Sequence, residues 1–335
     1  MYIKKKPYII AEAGVNHNGS LNLAKKLILG SKKAGADAIK FQSFITENLT
    51  KKNAPKVPYQ IDKKKISETH YQMLKKLELS FVDQRKIFLF CKKLNIEFIS
   101  TPFDVKSALF LKKIGVNIIK ISSGDLTDLP LHKTISKFNK DVIISTGMSN
   151  VFEIKRSLNL YKNKKKISLL HCVSNYPSSI KNQNLNAIKL MKNKFRCRVG
   201  YSDHTVGDLA SIIAVTNGAE IIEKHITLDN KMIGPDHKAS MELKDFDSFV
   251  YKLKNIDVAQ GKYEKKCQNE ESQTRKISRK SLYFSNNLSK GHVLKKDDFI
   301  TLRPAKGLDP FYIKKILNKK LTKNVKKFQI VSKKI

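Results

Sequence analysis

The amino-acid sequence predicts an α/β fold, a (β/α)8 TIM barrel followed by a small C-terminal β-rich domain. Three observations support this prediction. Eight short apolar runs recur along the first two thirds of the chain, amphipathic stretches separate most of them, and the pattern changes after Ile277. Apolar runs of this length between helices are typical of buried parallel strands. Because the chemistry of such a barrel lies at the carboxyl ends of its strands, an enzyme is the first hypothesis.

Each apolar run ends in polar, small or ionisable residues. The runs, together with the polar residues that end them, cover residues 8–14, 38–42, 98–102, 118–125, 142–147, 169–172, 199–204 and 221–225. Helical periodicity predicts helices over residues 22–34, 82–94, 106–113, 151–161, 185–191, 208–216 and 245–258. The polar residues at the strand ends are therefore expected to meet at one mouth of the barrel.

The pattern divides the chain into a barrel domain of residues 1–260, a polar linker of residues 261–276 and a second domain of residues 277–335. In the second domain we expect short strands over residues 281–284 and 299–302 and a short helix over residues 311–317. So short a domain has a thin core, and we expect it to pack on a barrel, its own or a neighbour's. The long connection 46–68 follows the second strand and is expected to form part of the mouth or a lid.

Composition excludes several classes of protein. The 335 residues are 41% hydrophobic, enough for a barrel and its core, and no apolar run approaches the ~20 residues of a membrane span. The first residues lead into the first strand without the apolar segment and cleavage site of a signal peptide. The four cysteines lack metal-type spacing, which favours reduced thiols. A cytoplasmic enzyme with no membrane association is expected.

The formal net charge of +37 raises the question of nucleic-acid binding, because basic residues contact phosphates. Only seven of the 66 basic residues are arginine, and the lysines are spread along the polar faces of the predicted helices. No RNA-binding signature is present. The charge therefore favours solvated helix faces, and the same field attracts anionic substrates to a cleft. An RNA- or surface-binding protein is the rival of a different class.

Two histidines end neighbouring predicted strands. By the period of two, Ser202 and His204 share one face of the seventh strand, and Glu223 and His225 share one face of the eighth. Neighbouring strands place the two imidazoles close enough to share one cation. Two imidazoles leave positions for oxygen ligands from water and substrate, which suits a Lewis acid such as Mn²⁺, Mg²⁺ or Co²⁺. The alternative is a pair of core histidines with satisfied hydrogen bonds.

Lys40 and Lys120 each lie between apolar residues of a predicted strand, and an unpaired lysine inside a barrel is costly. Either lysine could form a Schiff base, as in barrel aldolases, or bind an anion as a fixed charge. The hydroxyls that favour a bound phosphate and carboxylate belong to Thr101, Ser123 and Ser145. An internal ion pair with Glu12 is the structural alternative.

Short motifs follow the predicted strands in a fixed order. They are IAEAGVNHNG (10–19), KFQ (40–42), STPFD (100–104), STGM (145–148), LHC (170–172), YSDHT (201–205), EKH (223–225) and GPDH (234–237). This ordered set resembles the sialic acid synthase family, the N-acetylneuraminate synthases and their legionaminate and pseudaminate relatives. Residues 279–281 and 302–307 are similar to the antifreeze-like (SAF) domain of that family. Each motif is short, but together they cover nearly the whole chain.

The resemblance implies that phosphoenolpyruvate condenses with an open-chain N-acyl hexosamine, giving a nine-carbon 2-keto acid and phosphate. N-acetylmannosamine as the sugar and N-acetylneuraminate as the product are favoured. The alternative is an N,N'-diacetyllegionaminate or pseudaminate synthase that uses a diacetamido-trideoxyhexose. The resemblance also implies a divalent metal, Mn²⁺ first, on His204 and His225. It further implies a domain-swapped homodimer in which Arg303 of the tail enters the partner's barrel.

By the same resemblance, the residues that would bind the phosphate and carboxylate of phosphoenolpyruvate are Lys40, Thr101, Lys120, Ser123, Ser145, Ser174 and Ser202. Those that would contact the sugar are Gln42, Tyr176, Asp236 and Arg303. Glu12 and Glu223 would handle protons or orient water, and Asp125 after the fourth strand is a third candidate.

Two segments depart from the family pattern. Ser123-Gly124-Asp125 stands where many relatives have Ser-Gly-Glu, so the shorter carboxylate reaches the sugar less directly. Residues 173–178 also differ, and because that segment touches the substrate, a sugar other than N-acetylmannosamine stays open. A further alternative makes the tail an interaction module and the barrel its scaffold.

Overall fold

The computed structural model describes residues 6–60 and 68–333. The chain divides into two compact units, Met1–Gly261 and Lys262–Ile335. Part of the connection expected to form the mouth or a lid, residues 61–67, lies outside the described residues. The described part of that connection contains two short helices that the sequence analysis did not predict.

Eight parallel strands form the first unit's barrel. They are β1 Tyr8–Gly14, β2 Ala38–Ser43, β3 Glu97–Pro102, β4 Ile118–Ile121, β5 Asp141–Ser145, β6 Ile167–His171, β7 Arg198–Asp203 and β8 Ile221–Thr227. Each strand pairs with the next, and β1 pairs with β8 to close the barrel. The predicted fold class is confirmed. A two-residue strand, β9 at Met241–Glu242, pairs in parallel with the end of β8 and was not predicted.

Helices follow the strands around the barrel. They are α1 Leu21–Lys33, α2 Thr46–Leu49, α3 His70–Leu77, α4 Phe81–Lys93, α5 Val105–Ile114, α6 Leu129–Ile135, α7 Val151–Leu158, α8 Ala187–Phe195, α9 Leu209–Thr216, α10 Leu243–Lys254 and α11 Ile256–Gln260. Several begin at side chains that accept a hydrogen bond from the first turn, among them Ser20, Ser80 and Asp104. The predicted helix 245–258 is two helices, since the chain leaves helical geometry at Asn255.

The barrel interior changes from apolar to polar along the strands. An apolar layer fills the lower part and consists of Ile10, Ala38, Ile99, Ile143, Leu170 and Ile221. Because side chains alternate between the two faces of a strand, the next inward position lies two residues further on. On β1, β2, β3 and β8 that position is Glu12, Lys40, Thr101 and Glu223. The apolar layer therefore forms the floor of a polar mouth.

The second unit contains its own small core. Helix α12, Ser272–Ser278, precedes an antiparallel pair of strands, β10 Ser281–Phe284 and β11 Phe299–Leu302. Its buried apolar side chains include Leu282, Leu294 and Val331. The two strands lie where the sequence predicts them, and the expected helix 311–317 is a 3-10 helix, Pro310–Lys315. Within the described part of the chain, no helix is both long and apolar enough to span a bilayer.

Candidate active site

A cavity of about 300 Å³ opens at the carboxyl ends of the barrel strands. It collects fourteen of the residues that the sequence analysis singles out: Glu12, Lys40, Gln42, Thr101, Lys120, Ser123, Ser145, Ser174, Tyr176, Ser202, His204, Glu223, His225 and Asp236. They come from all parts of the barrel, between β1 and the connection after β8. The expectation that strand-end residues converge on one mouth is met by this geometry.

Four buried charges lie at the base of the cavity, and we call them the inner cluster: Glu12, Lys40, Lys120 and Glu223. Lys40 Nζ lies 2.9 Å from Glu12 Oε1 and 3.7 Å from Glu223 Oε2. Lys120 Nζ lies 3.6 Å from Glu223 Oε1. The internal ion pair between Lys40 and Glu12, the structural alternative for these lysines, is therefore present. Two carboxylate oxygens of the inner cluster nevertheless accept no hydrogen bond: Glu12 Oε2 and Glu223 Oε2 are buried without a hydrogen-bond partner among the described residues.

Burial and the attraction between opposite charges shift the pKa values of the inner cluster in different directions. Burial raises the pKa of Glu12 to about 7, even though Lys40 opposes the shift. Burial also acts to raise the pKa of Glu223, but the charges of Lys120 and Lys40 outweigh it and lower that pKa to about 2. Burial lowers the pKa of Lys120. The raised pKa of Glu12 reduces the negative charge that faces Lys40, and a bound anion would in turn favour the ammonium form of Lys120.

Hydroxyl groups surround Lys120 on the side of β4, β5 and β6. Lys120 Nζ donates to Ser145 Oγ at 2.7 Å, and the Gly147 N–H donates to Ser123 Oγ at 3.0 Å. A Cβ at Gly147 would lie 2.9 Å from Ser123 Oγ and closer still to Ser174 Oγ. Only glycine therefore lets the backbone approach these hydroxyls. An ammonium group among hydroxyls and a backbone N–H is the chemistry that binds phosphate and carboxylate oxygens.

The two imidazoles lie together above β7 and β8, with ring centroids 5.5 Å apart. His204 Nδ1 lies 2.7 Å from the Val173 carbonyl, which can only accept, so Nδ1 carries the proton and Nε2 has the lone pair. His225 Nδ1 is buried and makes no hydrogen bond to any residue in the described ranges. Burial lowers the pKa of His204 to about 4 and that of His225 well below its ordinary value. Both rings are neutral near pH 7, which is the form that binds a metal ion.

A metal here would have few protein ligands. Among the described residues, no group of three or more His, Cys, Asp or Glu side chains could hold a metal ion. His204 and His225 would thus supply two nitrogen ligands, and water and substrate would supply the rest. The Tyr176 ring lies over His204, with centroids 4.0 Å apart, and closes one side of this position. The neutral rings and the unpaired Nδ1 fit a divalent ion that favours mixed nitrogen and oxygen ligands.

Asp236 reaches the cavity from the connection between β8 and β9, and a network not predicted from the sequence holds it there. Ser240 Oγ donates to the Asp236 carbonyl at 2.7 Å and accepts from Asn16 Nδ2 at 2.8 Å. His237 Nδ1 lies 2.7 Å from Thr227 Oγ1. Burial raises the pKa of Asp236 to about 6. Asn16 and His237 lie in the motifs at residues 10–19 and 234–237, whereas no sequence motif includes Ser240 or Thr227.

Sequence reasoning also missed the apolar side of the cavity. This side includes Val15, Leu49, Val57, Met73, Leu74, Leu77 and Phe103, with Tyr59, Gln60 and His70 nearby. Most of these residues belong to the connection between β2 and β3, which the sequence analysis treats as irregular. The periodicity of α3, His70–Leu77, covers too few residues to be separated from a loop.

Two predicted site residues lie elsewhere. Asp125 is not among the described residues that line the cavity, and its Oδ2 accepts a hydrogen bond from Ser122 Oγ at 2.5 Å. Its predicted catalytic role stays a prediction. Arg303 follows β11 in the second unit, and its contact with a sugar in a partner's barrel likewise stays a prediction.

Comparison with known proteins places this site in a family. The NeuB family model matches residues 27–265, and the SAF domain model matches residues 279–334. The N,N'-diacetyllegionaminic acid synthase of Campylobacter jejuni is 44% identical over 98% of this chain and 99% of its own length. The enzyme of the same name from Legionella pneumophila is 40% identical over 95% of this chain and 91% of its own length.

A solved structure agrees with this result. The N-acetylneuraminic acid (sialic acid) synthetase of Leptospira borgpetersenii, in complex with citrate, is 35% identical. The match has a TM-score of 0.71 and covers 81% of this chain and 90% of that chain. The family model, the relatives and the structural match all agree with the resemblance carried by the strand-end motifs. The chain belongs to the NeuB family of sialic acid synthases.

Proposed function

We propose that this protein condenses phosphoenolpyruvate with a 2,4-diacetamido-2,4,6-trideoxyhexose, giving N,N'-diacetyllegionaminate and phosphate. One observation carries the proposal: a buried cluster of two lysines and two glutamates, the inner cluster, shares a cavity with two adjacent imidazoles. The choice of sugar is supported by the relatives at 44% and 40% identity, both N,N'-diacetyllegionaminic acid synthases. N-acetylneuraminate, the product that the sequence analysis favours, becomes the second candidate, supported by the synthetase at 35% identity.

Phosphoenolpyruvate would bind on the β4–β6 side of the mouth. Lys120 and Lys40 supply fixed positive charge, and the hydroxyls of Ser145 and Ser123 supply hydrogen bonds to phosphate and carboxylate oxygens. Glu223 holds the two ammonium groups in place, since its carboxylate lies 3.6 Å from one and 3.7 Å from the other. In this arrangement the phosphate and carboxylate of the substrate would add negative charge beside the two ammonium groups.

His204 and His225 would hold a divalent metal, Mn²⁺ first. When bound, the ion would act as a Lewis acid for the sugar aldehyde. The Val173 carbonyl fixes the tautomer of His204, so that the lone pair for a ligand bond is on Nε2, which lies 3.3 Å from Ser202 Oγ. Tyr176 and Asp236 lie beside this position and would contact the sugar, as the sequence analysis expects.

The reaction releases protons from water, and a carboxylate of the inner cluster can accept one of them. The C3 carbon of phosphoenolpyruvate bonds to the sugar C1, a water oxygen adds at C2, and the bond between C2 and the phosphate oxygen breaks. The water loses both protons, of which one goes to the oxygen on the sugar C1 and one leaves with phosphate. Glu12 Oε2 is buried and unbonded within the described part of the barrel, which leaves it free to orient that water or accept its proton. Glu223 is tied to two lysines and to Ser202 Oγ at 2.9 Å, which favours a holding role.

The proposal is tested by incubating the protein with Mn²⁺, phosphoenolpyruvate and either the diacetamido sugar or N-acetylmannosamine, and measuring phosphate release. We expect release with the diacetamido sugar, slower release with N-acetylmannosamine, and loss of activity with a chelator. Borohydride in the presence of a keto substrate should not trap Lys40 or Lys120. Sugar-independent trapping would instead establish the lysine-dependent aldolase, and absence of phosphate release with every sugar would refute the synthase.

A further inference from the structure

The side of the cavity beside the carboxyl ends of β1–β3 is apolar, in contrast to the rest of the mouth. We define the apolar wall as Val15, Leu49, Met73, Leu74 and Leu77. Helices α2 and α3 bring four of these side chains to the cavity, and the wall packs in one cluster with Phe44 and Phe103. The side chains of Met73, Leu74 and Leu77 are only 8%, 6% and 7% exposed, and all three line the cavity.

The order of the strands fixes what the apolar wall faces. Lys120, Ser123 and Ser145, which supply an ammonium and hydroxyls for an anion, lie over β4 and β5, Lys40 lies on β2, and the imidazoles lie over β7 and β8. A sugar whose aldehyde is held at the imidazoles can extend past Asp236 and Gln42 toward β1–β3. These two side chains meet at Gly14, where a Cβ would lie 3.7 Å from Asp236 Oδ2 and 3.6 Å from Gln42 Nε2. The far end of the sugar therefore reaches the apolar wall.

The two candidate sugars differ at that end. N-acetylmannosamine has hydroxyl groups at C4 and C6, whereas the diacetamido-trideoxyhexose has an acetamido group at C4 and a methyl group at C6. The five side chains of the apolar wall contain no hydrogen-bond donor and no strong acceptor. Hydroxyls placed against it would lose their water without gaining a partner, while methyl groups would gain burial.

We propose that the apolar wall determines the sugar specificity of this enzyme by packing against the C6 methyl and the C4 acetamido methyl of the sugar. The inference deepens the proposed function and depends on it. Val15, Leu49 and the three α3 side chains thus act in binding, and Met73 is the most exposed of the three α3 residues.

The test compares three variants with both sugars. Met73→Gln keeps the length of the side chain but adds an amide, and Met73→Leu keeps it apolar. Met148→Gln is the matched control, because Met148 also lines the cavity but follows β5 on the anion side. A single methyl contact in an apolar pocket discriminates about 10-fold or more. We expect Met73→Gln to lower kcat/KM for the diacetamido sugar about 10-fold through KM, with no loss for N-acetylmannosamine.

The controls separate specificity from folding. Met73→Leu should keep the wild-type preference, and Met148→Gln should change both sugars by the same factor. If Met73→Gln unfolds, Leu49→Gln at the half-buried end of the apolar wall takes its place with the same expected change in preference. Equal losses for both sugars in folded variants would overturn the inference while leaving the proposed function intact. A wild-type enzyme that turned over neither sugar would refute the proposed function, and the inference with it.

Discussion

Two groups of buried charges lie on opposite faces of β8: the inner cluster inside the barrel, and an ion pair outside it, Lys224 with Asp203, which we call the outer pair. Comparing them distinguishes buried charges that serve a ligand site from buried charges that stabilise the fold. On β8, Glu223 points into the barrel and Lys224 points out. Lys224 pairs with Asp203 of β7 at 3.0 Å, and the two side chains are 2% and 0% exposed. Both systems pay the desolvation of buried charge, but they are completed in different ways.

The outer pair is satisfied by the protein alone. Asp203 accepts from the Thr205 N–H and from Thr205 Oγ1, both at 2.8 Å, and from Ser211 Oγ at 2.6 Å. Lys224 Nζ also donates to the Thr205 carbonyl at 2.6 Å. The inner cluster, by contrast, leaves one oxygen each of Glu12 and Glu223 unbonded within the residues described. A buried polar group without a partner is costly in a folded protein, so incomplete pairing at a cavity indicates a place for a ligand.

The largest effect is expected from breaking the outer pair. Lys224→Met leaves the Asp203 carboxylate buried without its counter-ion, which should lower the free energy of unfolding by about 3–5 kcal/mol. Chemical denaturation measures this. Lys192→Met is the matched control, since Lys192 pairs with Glu220 at 2.9 Å but the side chains are 35% and 43% exposed. That exposed pair should contribute about 1 kcal/mol or less. A similar loss of unfolding free energy in both variants would mean that the outer pair stabilises the fold no more than an exposed ion pair does.

The same substitution in the inner cluster should act on activity instead. Lys120→Met removes an ammonium that burial already destabilises, as its lowered pKa shows, and Glu223 keeps Lys40 as a partner. We expect the melting temperature to change little and kcat/KM for phosphoenolpyruvate to fall by about 10²–10³. Steady-state kinetics and thermal unfolding measure the two effects. Full activity, or unfolding as severe as in Lys224→Met, would remove the distinction between the two systems.

Sequence reasoning located the inner cluster because a simple rule governs it. Strand side chains alternate, so an ionisable residue two positions beyond an inward apolar residue must also point inward, as Lys40 does after Ala38. The rule applies only while the chain is a strand. The apolar wall depends on how α3 packs, and the network around His237 joins residues more than 200 positions apart, so neither follows from local pattern.

Asp125 shows where that rule ends. The sequence analysis places Asp125 after the fourth strand, and β4 ends at Ile121, after which a turn directs the carboxylate to Ser122. After the strand, tertiary packing and turn geometry decide the direction of a side chain. Asp125 is therefore an intermediate case between the two ion systems: it is largely buried, it has a single hydroxyl partner in the structure, and it lies outside the cavity lining.

The smallest effect is expected from Asp125→Asn. Burial raises the pKa of Asp125 from its ordinary 3.8 to about 6, so the folded protein binds this proton more tightly than the unfolded chain does. Stability of the wild type should therefore fall as pH rises from about 4 to about 6, and asparagine removes this contribution. The melting temperature of the variant, relative to wild type, should rise over that window and stay level above it. Turnover should remain within about twofold, since the Asp125 side chain is not part of the cavity lining and asparagine can still accept the hydrogen bond from Ser122, which does line the cavity. A loss of about 100-fold or more in a folded variant would instead support the catalytic role that the sequence assigns to Asp125.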